Sequence, residues 1–121
     1  MVAWIRDEPV AFDTFLYEAD SGVVELCMSW MNVAETFYLL AKRASPALAG
    51  VFLARLDSMP IRIVLPGEKG IMAAARIKAA HPVAFGDAFA IALAQAERAS
   101  VITGDDEIRR CGVVAVDWIG V

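Results

Sequence analysis

Short strand-like runs alternate along this chain with segments of helical length, and this alternation restricts the fold more than any other feature. Four runs with strand-like composition, at residues 23–29, 61–65, 100–103 and 113–116, are separated by segments with apolar residues at three- and four-residue steps. This alternation indicates an α/β domain whose parallel sheet is covered by helices on both faces. Ligands in this class gather at the carboxyl ends of the strands.

Local signals predict where the helices begin and end. Ser29 can cap the helix that contains Glu35, and Ser45 with Pro46 can start the next one. Lys42 and Arg43 end the first of these helices, where the helix dipole favours cations. The predicted helices cover residues 9–19, 32–43, 47–59, 70–80 and 87–99.

Length and composition predict one domain with a covered apolar surface. The 121 residues contain no repeat, no low-complexity tract and no linker, so we treat 1–121 as a single unit. The mean hydropathy of +0.56 is high for a small domain, which suggests that a partner or a second copy covers part of the surface. No apolar stretch reaches the roughly 20 residues of a membrane span, and no signal-peptide pattern is present, so we expect a cytoplasmic protein. The two cysteines lack metal-ligand spacing and are predicted to be reduced.

The charge leaves nucleic-acid binding open. A net charge of −4 argues against broad nonspecific binding of nucleic acid, which usually requires a basic domain. A cluster of carboxylates that holds divalent cations would itself lower the isoelectric point. Basic side chains such as Lys42, Arg43, Arg109 and Arg110 could then surround that cluster.

Glu35 is the first candidate functional residue, because its helix is apolar on nearly every side. An unpaired buried carboxylate costs several kcal/mol or becomes neutral, so it needs a cation, a hydrogen-bond donor or water. The alternative is that Glu35 simply occupies the solvated position of this helix. Both interpretations remain open from this stretch alone.

Two aspartates are the other candidates. Asp87 follows Gly86 and precedes an apolar helix, so it is predicted to be a helix N-cap at the edge of the sheet. Asp105 follows the run 100–103 and a glycine, and its alternative role is a solvated acidic turn that starts a helix. Asp106 and Glu107 would then be spare, exposed charges.

Three acids from separate elements could converge at one edge of the sheet. Mg²⁺ and Mn²⁺ prefer such clusters of oxygen ligands, and a phosphodiesterase site would follow. The metal would polarise a phosphoryl oxygen and lower the pKa of a bound water, and a second metal about 4 Å away would stabilise the leaving oxygen. Competing chemistries are poorly supported, since the one histidine, His81, lies beside Pro82, and no glycine-rich phosphate loop, nucleophile elbow or Cys-x-x-Cys pair occurs.

Three segments, "SWMNVAETFYLLAKR", "AAARIKAAHPVAFGDAFAIALA" and "VITGDDEIRR", resemble in order and spacing the PIN-domain proteins of the VapC toxin type. The resemblance implies a three-layer α/β/α fold with a central parallel sheet. It also implies an endoribonuclease that requires Mg²⁺ or Mn²⁺ and acts as the toxin of a type II toxin–antitoxin pair. Such toxins bind an antitoxin whose tail covers the acidic pocket, and they usually form homodimers.

The resemblance also assigns residues to the site. It implies that Glu35, Asp87 and Asp105 are metal ligands and catalytic residues. Polar residues expected near the site are Asn32, Thr103 and Asp106. An alternative function is a catalytically impaired PIN-like module that binds an antitoxin-like partner without cleaving RNA, and a third is a small-molecule phosphohydrolase that uses the same acids.

The beginning of the chain departs from the family pattern. PIN domains of this type open with a hydrophobic strand ending in an aspartate that is the first metal ligand, whereas "MVAWIRDEPVA" looks like the helix that follows it. We therefore expect the first strand and first aspartate to be missing, and Asp13 within the predicted helix 9–19 does not replace them. Either translation starts upstream of Met1 or the chain is truncated. The gap in the sheet would then be filled by an exchanged element or a rearranged sheet.

Overall fold

Five parallel strands form one sheet in the order β3-β2-β1-β4-β5. The computed structural model describes residues 2–3, as backbone, and 16–118. The strands are β1 (Val2–Ala3), β2 (Leu26–Ser29), β3 (Ile61–Val64), β4 (Val101–Thr103) and β5 (Val116–Trp118). The helices are α1 (16–20), α2 (Trp30–Arg43), α3 (Pro46–Arg55), α4 (Gly67–Ala80), α5 (Phe85–Glu97) and α6 (Asp106–Cys111), with a 3-10 turn at Leu56–Ser58.

Both faces of the sheet are covered near its centre. Every residue of β2 and β4 is buried. Because successive side chains of a strand point to opposite faces, burial at every position requires cover on both sides. Helix α5 supplies much of that cover, since it contacts β1, β2 and β4 and most of its residues are buried. The predicted α/β fold with a covered parallel sheet is confirmed.

The predicted caps of α2 and α3 are confirmed. Ser29 Oγ accepts a hydrogen bond from the Met31 backbone N–H at 3.2 Å, and Ser45 Oγ accepts one from Leu48 at 3.1 Å. These bonds satisfy backbone donors that the first turn of a helix leaves without partners. The N-terminal ends of these two helices can therefore be predicted from the local sequence alone.

A short strand of the chain itself occupies the centre of the sheet. β1 pairs with β2 on one side and β4 on the other, with Val2 opposite both Cys27 and Val101. β1 thus lies at the centre of the sheet, whereas the expectation that the family's opening strand and its aspartate are missing stays a prediction. Two residues are too few to show a strand period, which is why the sequence pattern indicated helix instead. Three expectations concern residues that the structure does not describe. They are the absence of the first acidic ligand, the role of Asp13 and the part of the predicted helix that precedes residue 16.

Several elements in the second half of the chain begin or end elsewhere than predicted. α5 begins at Phe85, before Asp87, and α6 occupies a stretch predicted to be a turn. β5 begins at Val116, whereas the predicted strand was 113–116. Val113 and Val114 pack against the core without pairing, and the register that places Val116 opposite Val101 fixes the strand.

Two expectations from composition can be compared with the described residues. Within residues 16–118 no single helix is long and apolar enough to cross a membrane, and α4 with α5 meets that criterion only as a pair bent by 118°. Cys27 is buried and Cys111 half-buried, and no disulfide joins them. The high hydropathy corresponds to large apolar side chains exposed on α2 and α3, namely Trp30, Met31, Phe37, Tyr38, Leu48, Val51 and Leu53.

Candidate metal centre

Asp87 lies in the first turn of α5. His81, which precedes Pro82, is extended, and the helix restarts after Ala84, which holds the N-cap position. The prediction that Asp87 is itself the N-cap is therefore wrong by one turn. A carboxylate in the first turn still interacts favourably with the helix dipole. Asp87 is only 4% exposed, so its placement has to offset the cost of desolvating a carboxylate.

Asp105 is held by the loop between β4 and α6. Thr103, buried at the end of β4, accepts a hydrogen bond at its Oγ1 from the Asp105 backbone N–H at 2.9 Å. Asp105 in turn caps α6, because its Oδ1 accepts a hydrogen bond from the Glu107 N–H at 2.8 Å. Both alternatives considered for Asp105 therefore hold, since it starts a helix and also lies at the carboxyl edge of the sheet.

Asp87, Asp105 and Glu107 form an acidic cluster, the one group among the described residues whose carboxylates suit a metal ion. One oxygen from each lies within 4.8 Å of those from the other two. Three like charges at this separation repel one another unless a cation lies between them. Carboxylate oxygens are the ligands that Mg²⁺ and Mn²⁺ prefer, so the residues present fit a hard divalent cation.

The acidic cluster contains a residue that the sequence interpretation set aside. Glu107, considered a spare charge, belongs to it, whereas Asp106 forms ion pairs with Arg109 and Arg110 of its own helix. The signal that could have identified Glu107 is its position two residues after a capping aspartate. Because the capping carboxylate of Asp105 accepts a hydrogen bond from the Glu107 N–H, the two side chains both start at the N-terminal end of α6.

Glu35 does not belong to the acidic cluster, but its carboxylate lies against Gly86, the residue that precedes Asp87. A Cβ placed on Gly86 would come within 2.6 Å of Glu35 Oε1 and 2.8 Å of its Cδ, and closer still to Oε2. The carboxylate of Glu35 therefore rests against the residue that precedes Asp87. Glu35 is half-buried, so the interpretation of Glu35 as a fully solvated helix position is not supported.

Asn32 joins α2 to α5 at the same point. Its Nδ2 donates a hydrogen bond to the Gly86 carbonyl at 2.8 Å, and its side chain is fully buried. Its Oδ1 has no hydrogen-bond partner among the residues that the structure describes, which is rare for a buried acceptor and indicates a place for a water or another donor. Asn32 and Glu35 are one helical turn apart on α2 and both reach Gly86.

The surroundings of the cluster combine charge and stacking. The Arg109 guanidinium lies 4.0 Å from the centre of the Trp118 ring, an arrangement that stabilises a cation. Arg110 is exposed apart from its bond to Asp106. Cys27 is not a competing nucleophile, because burial raises the pKa of its thiol and keeps it protonated.

Comparison with known families decides the identity of the fold. The model of the PIN domain matches residues 1–114, nearly the whole chain. The chain belongs to the PIN domain family. The resemblance noted in the sequence is therefore confirmed at the level of the family, although comparison with curated protein sequences gives no match.

Solved structures with a similar fold include VapC toxins. It is similar to a chain of VapBC2 from Rickettsia felis bound to a DNA fragment of its promoter, with a TM-score of 0.71, 14% identity and coverage of 97% of this chain and 98% of that chain. VapC20 from Mycobacterium tuberculosis, a toxin that cleaves the sarcin–ricin loop, gives 0.70, 17% identity and coverage of 93% and 95%. FitAcB from Neisseria gonorrhoeae gives 0.66, 20% identity and coverage of 96% of each chain.

Proposed function

We propose that this PIN domain is a metal-dependent endoribonuclease and the toxin of a type II toxin–antitoxin pair. The observation that carries the proposal is the acidic cluster of Asp87, Asp105 and Glu107, which the starts of α5 and α6 bring to one place. Membership of the PIN domain family and the similarity to VapC-type toxins support the same conclusion.

The acidic cluster would hold Mg²⁺ or Mn²⁺. A bound ion of this kind supplies a Lewis acid for a phosphoryl oxygen and lowers the pKa of a coordinated water. Without a cation, the three carboxylates would repel the phosphodiester, so the residues themselves impose the metal requirement. Glu35, whose carboxylate lies against Gly86, the residue before Asp87, would accept a hydrogen bond from a water near the cluster and so orient it.

The proposed partners are an RNA substrate, an antitoxin and a second copy of the chain, in the cytoplasm. The exposed apolar side chains on α2 and α3 support a protein partner, since monomers seldom leave such surfaces uncovered. Solved relatives include a toxin–antitoxin complex from Klebsiella pneumoniae, with a TM-score of 0.60, 16% identity and coverage of 96% of this chain and 94% of that chain. Arg109 and Arg110, on the helix that carries Glu107, would attract the RNA backbone.

Cleavage of RNA in the presence of Mn²⁺ tests this function with a matched pair of variants. We expect Asp87→Asn and Glu107→Gln each to slow cleavage by about 100-fold, because each removes one anionic oxygen ligand. Asp106→Asn is the control, since Asp106 has the same charge and lies on the same helix but pairs with arginines. Equal activity of the Glu107 and Asp106 variants would refute the assignment of the acidic cluster.

A binding module that cannot cleave RNA is the second candidate. It is favoured by one observation, namely that the Glu35 oxygens do not belong to the group that Asp87, Asp105 and Glu107 form. Titration calorimetry with Mn²⁺ separates the two functions. A nuclease site predicts heat that Glu107→Gln removes, whereas a binding-only module predicts none in either protein.

A further inference from the structure

We propose that Gly86 is a positioning residue, whose missing side chain provides the space in which the Glu35 carboxylate lies against the start of α5, the helix that carries Asp87. The proposal rests on the function proposed above and deepens it. It adds to the site a residue that has no functional group of its own.

The requirement for glycine at position 86 is one of space. Gly86 does not have a positive φ, so any residue could adopt its backbone conformation. A Cβ there would nevertheless meet three atoms of the Glu35 carboxylate, two of them at 2.6 and 2.8 Å. Real Cβ atoms do not approach other heavy atoms so closely, so an alanine would force something to move.

The part that moves would be Glu35 and not the backbone. Gly86 is fixed by the hydrogen bond from Asn32 Nδ2 to its carbonyl, and the next residue, Asp87, is buried. The carboxylate of Glu35 is the far end of a flexible side chain, so it can rotate away more readily than the backbone can shift. An added methyl group would therefore displace the carboxylate and leave the fold in place.

Gly50 offers a matched control. It also lies within a helix, α3, but it is exposed and a Cβ there would meet nothing within 4 Å. Alanine favours a helix interior more than glycine does, so Gly50→Ala is expected to preserve or raise stability. Any effect of Gly86→Ala that Gly50→Ala lacks is then caused by the contact with Glu35.

Mn²⁺ calorimetry and thermal unfolding of the full chain test the proposal. We expect Gly86→Ala to weaken Mn²⁺ binding by about 10-fold, in the range that supporting residues of metal sites show. Its melting temperature without metal should match that of the parent, and Gly50→Ala should bind Mn²⁺ normally. Loss of binding that is accompanied by an equal loss of stability would point to a merely structural glycine and would overturn the proposal.

A rescue variant makes the test specific to Glu35. Glu35→Asp shortens the side chain by one methylene, which withdraws the carboxylate from position 86. Glu35→Asp alone is expected to weaken Mn²⁺ binding, and adding Gly86→Ala to it should cost less than the 10-fold loss seen with Glu35 present. Additive losses in the double variant would contradict the proposal.

A metal-free measurement keeps the positioning claim separate from the function. The ¹³C resonance of the Glu35 side-chain carboxyl should shift in Gly86→Ala and stay unchanged in Gly50→Ala. An unchanged resonance in Gly86→Ala overturns the positioning role, whatever the metal does. If that resonance shifts but the parent chain binds no Mn²⁺, the proposed function fails and the contact between Gly86 and Glu35 stands.

Discussion

Asn32 shows what a single side chain contributes to the site. Its buried Nδ2 donates a hydrogen bond to the Gly86 carbonyl, while Oδ1 has no hydrogen-bond partner among the described residues. A buried acceptor that lacks a donor costs about 1–3 kcal/mol, so a core chosen for stability alone would avoid it. The unpaired oxygen is explained if water reaches this place, close to the carboxylate of Glu35.

Replacing Asn32 with alanine should lower the free energy of unfolding by about 1–3 kcal/mol, because the Gly86 carbonyl loses its donor in a buried position. Urea unfolding measures the change. Thr36→Ala is the control on the same helix, since it removes only the hydrogen bond from Thr36 Oγ1 to the Asn32 carbonyl, and we expect less than about 0.5 kcal/mol. Similar losses in both variants would contradict a special role for the bond between Asn32 and Gly86.

Cys27 predicts a pH dependence of stability. Burial raises the pKa of its thiol, so the folded chain keeps a proton that the unfolded chain releases. Stability from this group is therefore fully present below the thiol pKa of the unfolded chain and declines as pH rises through the window up to the folded pKa. We expect Cys27→Ala to remove that alkaline decline in urea unfolding measured from pH 7 to about 10.

Thiol labelling provides an independent check of the two cysteines. The half-buried Cys111 should react readily with a thiol reagent in the folded protein, and Cys27, which is 1% exposed, should react only on unfolding. Cys111→Ser should therefore abolish the fast phase. A fast phase that remains in this variant would show that β2 is more accessible than the structure indicates.

At the scale of elements, α6 links the acidic cluster to the local folding of the chain. Asp105 both caps this six-residue helix and contributes to the cluster. At position 105, asparagine can keep the capping hydrogen bond but not the negative charge, and alanine can keep neither.

We therefore expect Asp105→Asn to retain the parent's stability without metal, or to exceed it because repulsion in the cluster falls, while losing most Mn²⁺ affinity. Asp105→Ala should lose the affinity and also about 1 kcal/mol of stability. Chemical unfolding and calorimetry on the same samples measure both quantities. Full Mn²⁺ affinity in Asp105→Asn would exclude this carboxylate as a ligand.

The elements that sequence predicted well are those fixed by local chemistry. Ser29 and Ser45 cap α2 and α3 through bonds to residues two or three positions away, and such signals are visible in the sequence. β5 was misplaced because the apolar run 113–116 satisfies a strand pattern, yet pairing with β4 decides the register. Glu107 was missed for a related reason, since its role depends on α6, which was predicted to be a turn.

At the scale of the molecule, the sheet should be most stable at its centre. β2 and β4 flank β1 and are fully buried, whereas the edge strands β3 and β5 are mostly half-buried. We expect the backbone amides of β2 and β4 to exchange with deuterium most slowly, at rates set by global unfolding, and those of β5 to exchange faster through local opening. Exchange in β4 as fast as in β5 would contradict the central position of β1.

The general location of the site could be predicted from sequence, but its close contacts could not. A parallel sheet brings residues after its strands to one edge, and this rule led to Asp105 without knowledge of strand order, while Asp87 was identified as the start of a helix at that edge. The contact of Glu35 with Gly86 joins two elements far apart in sequence. Neither the hydrophobic periodicity nor the spacing of residues in the sequence predicts this contact, because it depends on how α2 packs against α5.

The central position of β1 also has a consequence for synthesis on the ribosome. Val2 is synthesised long before its partner Val101. Residues 105 and 107 follow later still, so a nascent chain cannot assemble the acidic cluster before β4 and α6 have been made. β1 therefore stays without its partner on one side of the sheet throughout the synthesis of β2, β3 and the helices between them.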